Sequence, residues 1–194
     1  MKVLTHFALW AAGLAQAETQ TTESERDALA RAARGRLRLV EIGVWHGVTT
    51  KRLRAEMDPS GVLYAVDPFE PGRLGFSMQR VIAQREVSRV RSGKVRWIRS
   101  TSSVAAPEVL REGSVDFVFI DGDHSYEGLA NDWTAWSTGV SPGGLIALHD
   151  SVSSPTRNIE EAGSVRFTRE HVALDKRYEH VATVETLTLW SFRG

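Results

Sequence analysis

Short apolar runs alternate with amphipathic segments along most of this chain. Leu37 to Ile42, Val62 to Val66, Val95 to Ile98, Val115 to Ile120 and Leu145 to Leu148 are brief and rich in aliphatic and β-branched residues. Runs of this kind read as strands of a parallel sheet buried on both faces. Helices are predicted between them, over Thr49 to Met57, Met78 to Arg91 and Ser103 to Leu110. The clearest is Tyr126 onward, where Tyr126, Leu129, Ala130, Trp133 and Trp136 recur at helical spacing and mark a core-facing stripe. Thr22 and Glu25 form a capping-box pair that starts a helix running to Arg34 and stopping at Gly35. Asp58-Pro59-Ser60-Gly61 and Pro142-Gly143-Gly144 read as turns. Pro68 to Ser77 reads as a loop with exposed Phe69 and Phe76. After a helix over Val165 to Leu174, Tyr178 to Val184 and Thr186 to Phe192 form an antiparallel pair. The pattern predicts an α/β fold, a mostly parallel sheet with an antiparallel C-terminal edge.

A length of 194 residues suits one domain with a substantial core. The 24 basic residues balance the 24 acidic ones, so net charge gives no push toward nucleic acid or a membrane surface. There is no cysteine, which excludes disulfides, thiolate metal sites and cysteine nucleophiles. The first 17 residues imitate a secretory leader, with Ala15-Gln16-Ala17 as an A-x-A site. The competing reading is a helix whose Leu4, Phe7, Ala8, Ala11, Leu14 and Ala15 share one apolar face. The run is too short to span a bilayer, and the helix in a cytoplasmic protein is the expectation carried forward.

Chemistry concentrates where the strands end. Leu39-Val40-Glu41-Ile42 runs into Gly43-Val44-Trp45-His46-Gly47, while Asp67, Asp121 and Asp150 follow three other strands. In an open α/β sheet ligands bind beyond the carboxyl ends of the strands, so these residues belong to one small-molecule site. Glycines at a strand-to-helix turn let a ligand approach the backbone, and the following helix offers unpaired N–H groups. The spacing is neither the G-x-G-x-x-G of dinucleotide folds nor a G-x-x-x-x-G-K-[ST] phosphate loop. A carboxylate at Asp67 is placed to accept both hydroxyls of a ribose whose other end lies at the glycine turn.

Glu41-Ile-Gly43-Val-Trp-His-Gly47, Asp67, Ile120-Asp-Gly-Asp-His124-Ser-Tyr126 and Pro142-Gly-Gly-Leu-Ile-Ala-Leu-His149-Asp150 together resemble the class I S-adenosylmethionine-dependent methyltransferases. More narrowly, the chain resembles small bacterial sugar and macrolide-sugar O-methyltransferases, and more distantly the catechol O-methyltransferase group. The resemblance implies a Rossmann-like, open seven-stranded sheet with helices on both faces. It implies a single domain in which residues 1–35 cover the site and 36–194 form the core. It implies that Gly43 and Gly47 line the methionine part of S-adenosyl-L-methionine, with Glu41 near its amino group. Thr101-Ser102-Ser103 would lie near the adenine, and the loop Thr19-Gln20-Thr21 would close over the cofactor beside Asp121.

In metal-dependent relatives the acids ending the fourth and fifth strands hold a divalent ion. Here these are Asp121 and Asp150, and oxygen ligands suit Mg²⁺. Such relatives usually carry Asp or Asn after the second acid, where this chain has Ser151. His124 matches the general base, a role suited to imidazole. The implied partner is a small-molecule hydroxyl acceptor, not nucleic acid or membrane, with a homo-oligomer open. The basic stretch Arg73 to Arg99 carries only Phe76 and Trp97 as aromatics, too few to favour nucleic acid, and Phe69, Arg73 and Phe76 are candidates for an acceptor lid. The alternatives are a cofactor-binding module without turnover, N-methylation, or an NAD-dependent oxidoreductase, the last disfavoured by the missing glycine fingerprint.

Overall fold

In the computed structural model, residues 3–72 and 75–194 are described. Seven strands form one sheet in the order β3-β2-β1-β4-β5-β7-β6. They are β1 (Arg38–Ile42), β2 (Val62–Val66), β3 (Lys94–Ile98), β4 (Val115–Ile120), β5 (Val140–Leu148), β6 (Tyr178–Val184) and β7 (Leu187–Phe192). The first five are parallel, and β7 joins β5 and β6 antiparallel. The helices are α1 (Val3–Ala11), α2 (Glu23–Ala33), α3 (Val48–Glu56), α4 (Met78–Val87), α5 (Ser102–Arg111), α6 (Tyr126–Trp136) and α7 (Gly163–Glu170), the last followed by a 3₁₀ turn over Val172–Leu174. The expected mostly parallel Rossmann-like architecture with an antiparallel C-terminal edge is present.

Period-2 alternation builds a core on each face of the sheet. Val40, Ile42, Tyr64, Val66, Val118 and Ile120 pack against Ala105, Val109, Leu129, Trp133, Trp136 and Phe167 from α5, α6 and α7. Leu39, Leu63, Phe117, Phe119 and Ala147 pack against Ala28, Leu29, Ala33 and Leu53 from α2 and α3. Trp133 and Trp136 are therefore core, as their spacing predicts. The capping box at α2 is complete: Thr22 Oγ1 accepts the Glu25 N–H, and the Thr22 N–H donates to Glu25 Oε2. Such a cap contributes about 1 kcal/mol.

Register aligns the strand ends that matter. Ile42 pairs with both Val66 and Ile120, and Ile120 pairs with Leu148. The ladder runs one residue further, with N–H groups of Gly43, Asp121 and His149 donating to the carbonyls of Val66, Ile42 and Ile120. Gly43, Asp67, Asp121 and the His149-Asp150 pair thus stand side by side along one edge.

Three expectations are corrected. Phe69, expected to be exposed, is 1% exposed and packs with Trp97, Val44, Ala65 and Ala83, so it is no lid residue. Phe76 is exposed, and Arg73 lies outside the described residues. Pro142 to Gly144 does not precede the fifth strand but lies within it, beside a register shift against β4 between Val115 and Phe117. At the N-terminus α1 forms but docks by another side: His6 is buried and Phe7, Leu9 and Trp10 are half-buried, while Leu4, Ala8, Ala11 and Leu14 are exposed. Trp10 Nε1 donates to Glu86 of α4, and this polar anchor overrides the apolar stripe. Among the described residues, no helix is long and apolar enough to cross a membrane.

Candidate active site

A cleft of about 630 Å³ opens along the aligned strand ends, a size typical of small-molecule sites. Its border includes Thr19 and Gln20 from the loop before α2, Glu41, Gly43 and Trp45 from the first turn, Asp67, Ser102, Asp121 and His124. Residues far apart in sequence therefore meet in one place. Gly47 and Asp150 do not border it. Gly47 stands behind the turn as the N-terminal cap of α3, at φ +73°, and a Cβ there would press on Ala83 of α4. Gly43, at φ +83°, passes so close to Asp121 that a Cβ would strike the Asp121 carbonyl. Three other residues around the site also hold positive φ: Trp45, Phe69 and Asp150, strain of the kind that clusters at functional sites.

Glu41 is fully buried, and neither carboxylate oxygen has a hydrogen-bond partner. Burial, with the nearby Asp121 and Asp67 charges, drives its carboxyl well above the usual range, despite an opposing contribution from Thr50. A buried acid without a partner destabilises the fold unless some group pairs with it. Asp67 is more occupied than its sequence position shows. Oδ2 accepts the N–H groups of Val44 (2.9 Å) and Trp45 (3.3 Å), and Oδ1 that of Phe69 (2.7 Å). The carboxylate therefore holds the glycine turn in shape, and a carboxylate's lone pairs exceed these three bonds.

At the other end, Asp132 of α6 borders the cleft beside Asn131 and Ser102. Burial raises its carboxyl to about 6, only partly opposed by Ser102 and supported by Asp123. Ser102 is fixed in turn by Trp136 Nε1, which donates to its Oγ at 2.8 Å. Sequence reasoning missed Asp132; the signal was an acid beside Trp133 on the inward side of an amphipathic helix.

The third region is a buried charge network. His149 Nδ1 lies 2.7 Å from Asp121 Oδ1, and Nε2 lies 3.5 Å from Glu25 Oε2. The ring nitrogens are buried, and their nearest polar neighbours are these carboxylates. Burial disfavours the His149 charge, but Asp121, Glu25 and Asp150 outweigh it and lift the imidazole to about 10. Burial likewise opposes charge on Glu25, yet His149, the Thr22 amide and Thr186 hold its carboxyl at about 2. Asp150 Oδ1 is met by Arg157 Nη1 at 2.7 Å and by the Thr186 hydroxyl at 2.9 Å. His124, partly exposed, points Nε2 at Asp121 Oδ1 (3.8 Å) and Asp150 Oδ2 (3.9 Å).

These contacts bear on the divalent ion that Asp121 and Asp150 were expected to hold. Ser151, at the usual third ligand position, turns inward to the Leu148 carbonyl and Thr188 hydroxyl. His149 and Arg157 already bring positive charge to Asp121 and Asp150. One oxygen of each carboxylate is thus already matched by a protein cation, which competes with a hard cation seeking an open oxygen shell.

A family of methyltransferase domains matches residues 40–151. No curated protein matches the chain in sequence. Among solved structures, the O-methyltransferase TomG of Streptomyces achromogenes, involved in tomaymycin synthesis and solved with S-adenosylmethionine, superposes with TM-score 0.69 at 19% identity, over 100% of this chain and 91% of that one. The O-methyltransferase of Bacillus cereus, solved with S-adenosylhomocysteine, gives 0.63 at 19%, over 98% and 89%. An rRNA methylase of Streptococcus thermophilus gives 0.61 at 12%, over 91% and 100%. At these identities the likeness is one of fold.

Proposed function

Because this chain belongs to the methyltransferase-domain family, we propose that its cleft binds S-adenosyl-L-methionine and that it methylates a hydroxyl of a small molecule. The bound cofactor supplies an activated sulfonium methyl. Glu41 receives its ammonium, the group that the unpaired buried carboxylate lacks. The turn from Gly43 and the start of α3 at Val48 and Thr49 receive the amino-acid part, with free helix N–H groups facing its carboxylate. Asp67 accepts the ribose hydroxyls with its remaining lone pairs. Ser102 and Asp132 border the adenine, and Thr19 and Gln20 cover the cleft.

The observation that carries the reaction type is the position of His124. Its Nε2 faces two carboxylates at 3.8 and 3.9 Å. An imidazole there takes the proton of an acceptor hydroxyl, and Asp121 and Asp150 stabilise the resulting imidazolium. Correct placement of the acceptor oxygen in line with the methyl supplies most of the remaining acceleration. Transfer runs without a metal in this reading, since His149 and Arg157 already bring a positive group to one oxygen of each carboxylate, Asp121 Oδ1 and Asp150 Oδ1. Three residues of the basic stretch are engaged within the chain: Arg89 on Glu86, Arg96 on Glu108 and Glu112, and Arg99 on the Pro68 carbonyl.

The test is methyl transfer from labelled S-adenosylmethionine to a panel of hydroxylated small molecules, in EDTA and then with Mg²⁺. Label on oxygen at equal rates in both conditions is expected. Transfer only with Mg²⁺ contradicts the metal-free reading, and transfer only to nitrogen contradicts the acceptor class.

A further inference from the structure

A second group of ligating side chains stands beside the cleft and takes no part in the proposed chemistry. His6 of α1, Glu18 of the loop before α2 and His46 of the β1–α3 turn each offer one atom within 4.8 Å of the other two. His6 Nδ1 lies 3.3 Å from Glu18 Oε1. The Glu18 backbone N–H donates to His46 Nδ1 at 3.1 Å. The two imidazoles lie parallel, their centroids 5.1 Å apart. Both are almost wholly buried, at 5% and 3% exposure. Neither ring nitrogen of His6 has a hydrogen-bond partner. A position needed only for packing is better served by an apolar residue, since a buried polar group without a partner destabilises the fold.

We propose that His6, Glu18 and His46 form a binding site for a divalent transition metal, Zn²⁺ above all. Two imidazole nitrogens and one carboxylate oxygen are a borderline donor set that suits Zn²⁺ and not Mg²⁺. Tetrahedral ligands at about 2.1 Å from Zn²⁺ stand roughly 3.4 Å apart, close to the His6–Glu18 separation. His46 Nδ1 accepts the Glu18 backbone N–H at 3.1 Å, so its lone pair faces the Glu18 side of the group and can exchange that amide for the metal. Glu18 is half-exposed on its side chain, leaving the fourth position to water. The ion joins three separate segments and clamps α1 and the Glu18 loop onto the glycine turn. Thr19 and Gln20, the next residues of that loop, then sit at a fixed distance from the cleft.

The site is independent of the methyl-transfer reading and is tested without activity. The full chain without a histidine tag is titrated with ZnCl₂ by calorimetry, and with Co²⁺ by its ligand-field absorption. One saturable Zn²⁺ site is expected. His6→Ala, His46→Ala and Glu18→Gln should each weaken it by roughly tenfold or more, a loss that even supporting residues of metal sites produce. His124→Ala, which disrupts the separate Asp121–His124–His149 group, should leave the affinity unchanged. Absence of Zn²⁺ binding in the parent protein overturns the proposal. So does full affinity in any of the three ligand variants, or loss of binding in His124→Ala. If the histidine variants do not fold, Glu18→Gln, a shape-preserving change at a partly exposed position, decides alone.

Discussion

Individual side chains at this site are set by what surrounds them more than by what they are. Glu41 and Glu25 are both buried acids, yet one has no partner and is pushed up while the other is held at about 2 by its partners. His124 and His149 are close neighbours, with ring centroids 5.8 Å apart, yet only His124 is open to an acceptor. His124→Ala is expected to lower kcat by about 10²–10⁴-fold, the range for a positioned acid–base group, with cofactor affinity unchanged in calorimetry. An unaltered kcat would remove His124 from the reaction. Gly43→Ala places a methyl against the Asp121 carbonyl at a left-handed backbone position. It is expected to cost on the order of 2–4 kcal/mol in chemical denaturation, from strain and overpacking together; a cost below about 0.5 kcal/mol, the level of a surface change, would show that the turn is free to move. Most of these residues were legible from the chain, because acids and glycines at strand ends stand out against apolar runs. Asp132 was not, since one acid inside an amphipathic helix looks like its solvent face until the helix is docked. Asp67 was legible as a site residue, but its three amide bonds were not, because they depend on the path of the turn opposite.

Between elements, the connection that sequence could not show is the one from α2 to the end of β5. Glu25 was legible only as a local cap. In the fold it also accepts the Thr186 N–H and hydroxyl, from 161 residues away, at 3.0 and 2.8 Å, and faces His149. A residue that closes a capping box with one oxygen and binds a distant strand end with the other has two reasons to be acidic, and local spacing reveals one. The network predicts a pH window. Glu25 is lowered from 4.5 to about 2, so its contribution is present above pH 4.5 and is lost as pH falls toward 2. His149 is raised from 6.5 to about 10, so its contribution is present below pH 6.5 and is lost as pH rises toward 10. Thermal stability should therefore be greatest near pH 4.5–6.5 as far as this pair decides it. Glu25→Gln should lower Tm within that window and flatten the acid side of the profile. A Tm at pH 5.5 equal to that of the parent would show that the pair contributes nothing. The docking of α1 has a similar origin: its apolar stripe is genuine, but Trp10 finds in Glu86 a partner that the stripe does not offer.

At the scale of the molecule, strand order and register do most of the work. Parallel pairing brings the ends of β1, β2, β4 and β5 into line, and the two-faced core holds them there. The alternation of strands and helices made this architecture readable in advance, since few other arrangements bury short runs that are apolar on both faces. The path of the Pro142–Gly144 segment and the burial of Phe69 were not readable, because each depends on a neighbour supplied by a different part of the chain. The central claim is that the aligned strand ends form a pocket for S-adenosylmethionine. It is tested most directly by calorimetric titration of the purified protein with S-adenosylhomocysteine, in EDTA and again with Mg²⁺. Saturable one-to-one binding, equal in the two conditions and strongly weakened in Asp67→Ala, is the predicted result. Absence of binding in both conditions by a folded protein would contradict it.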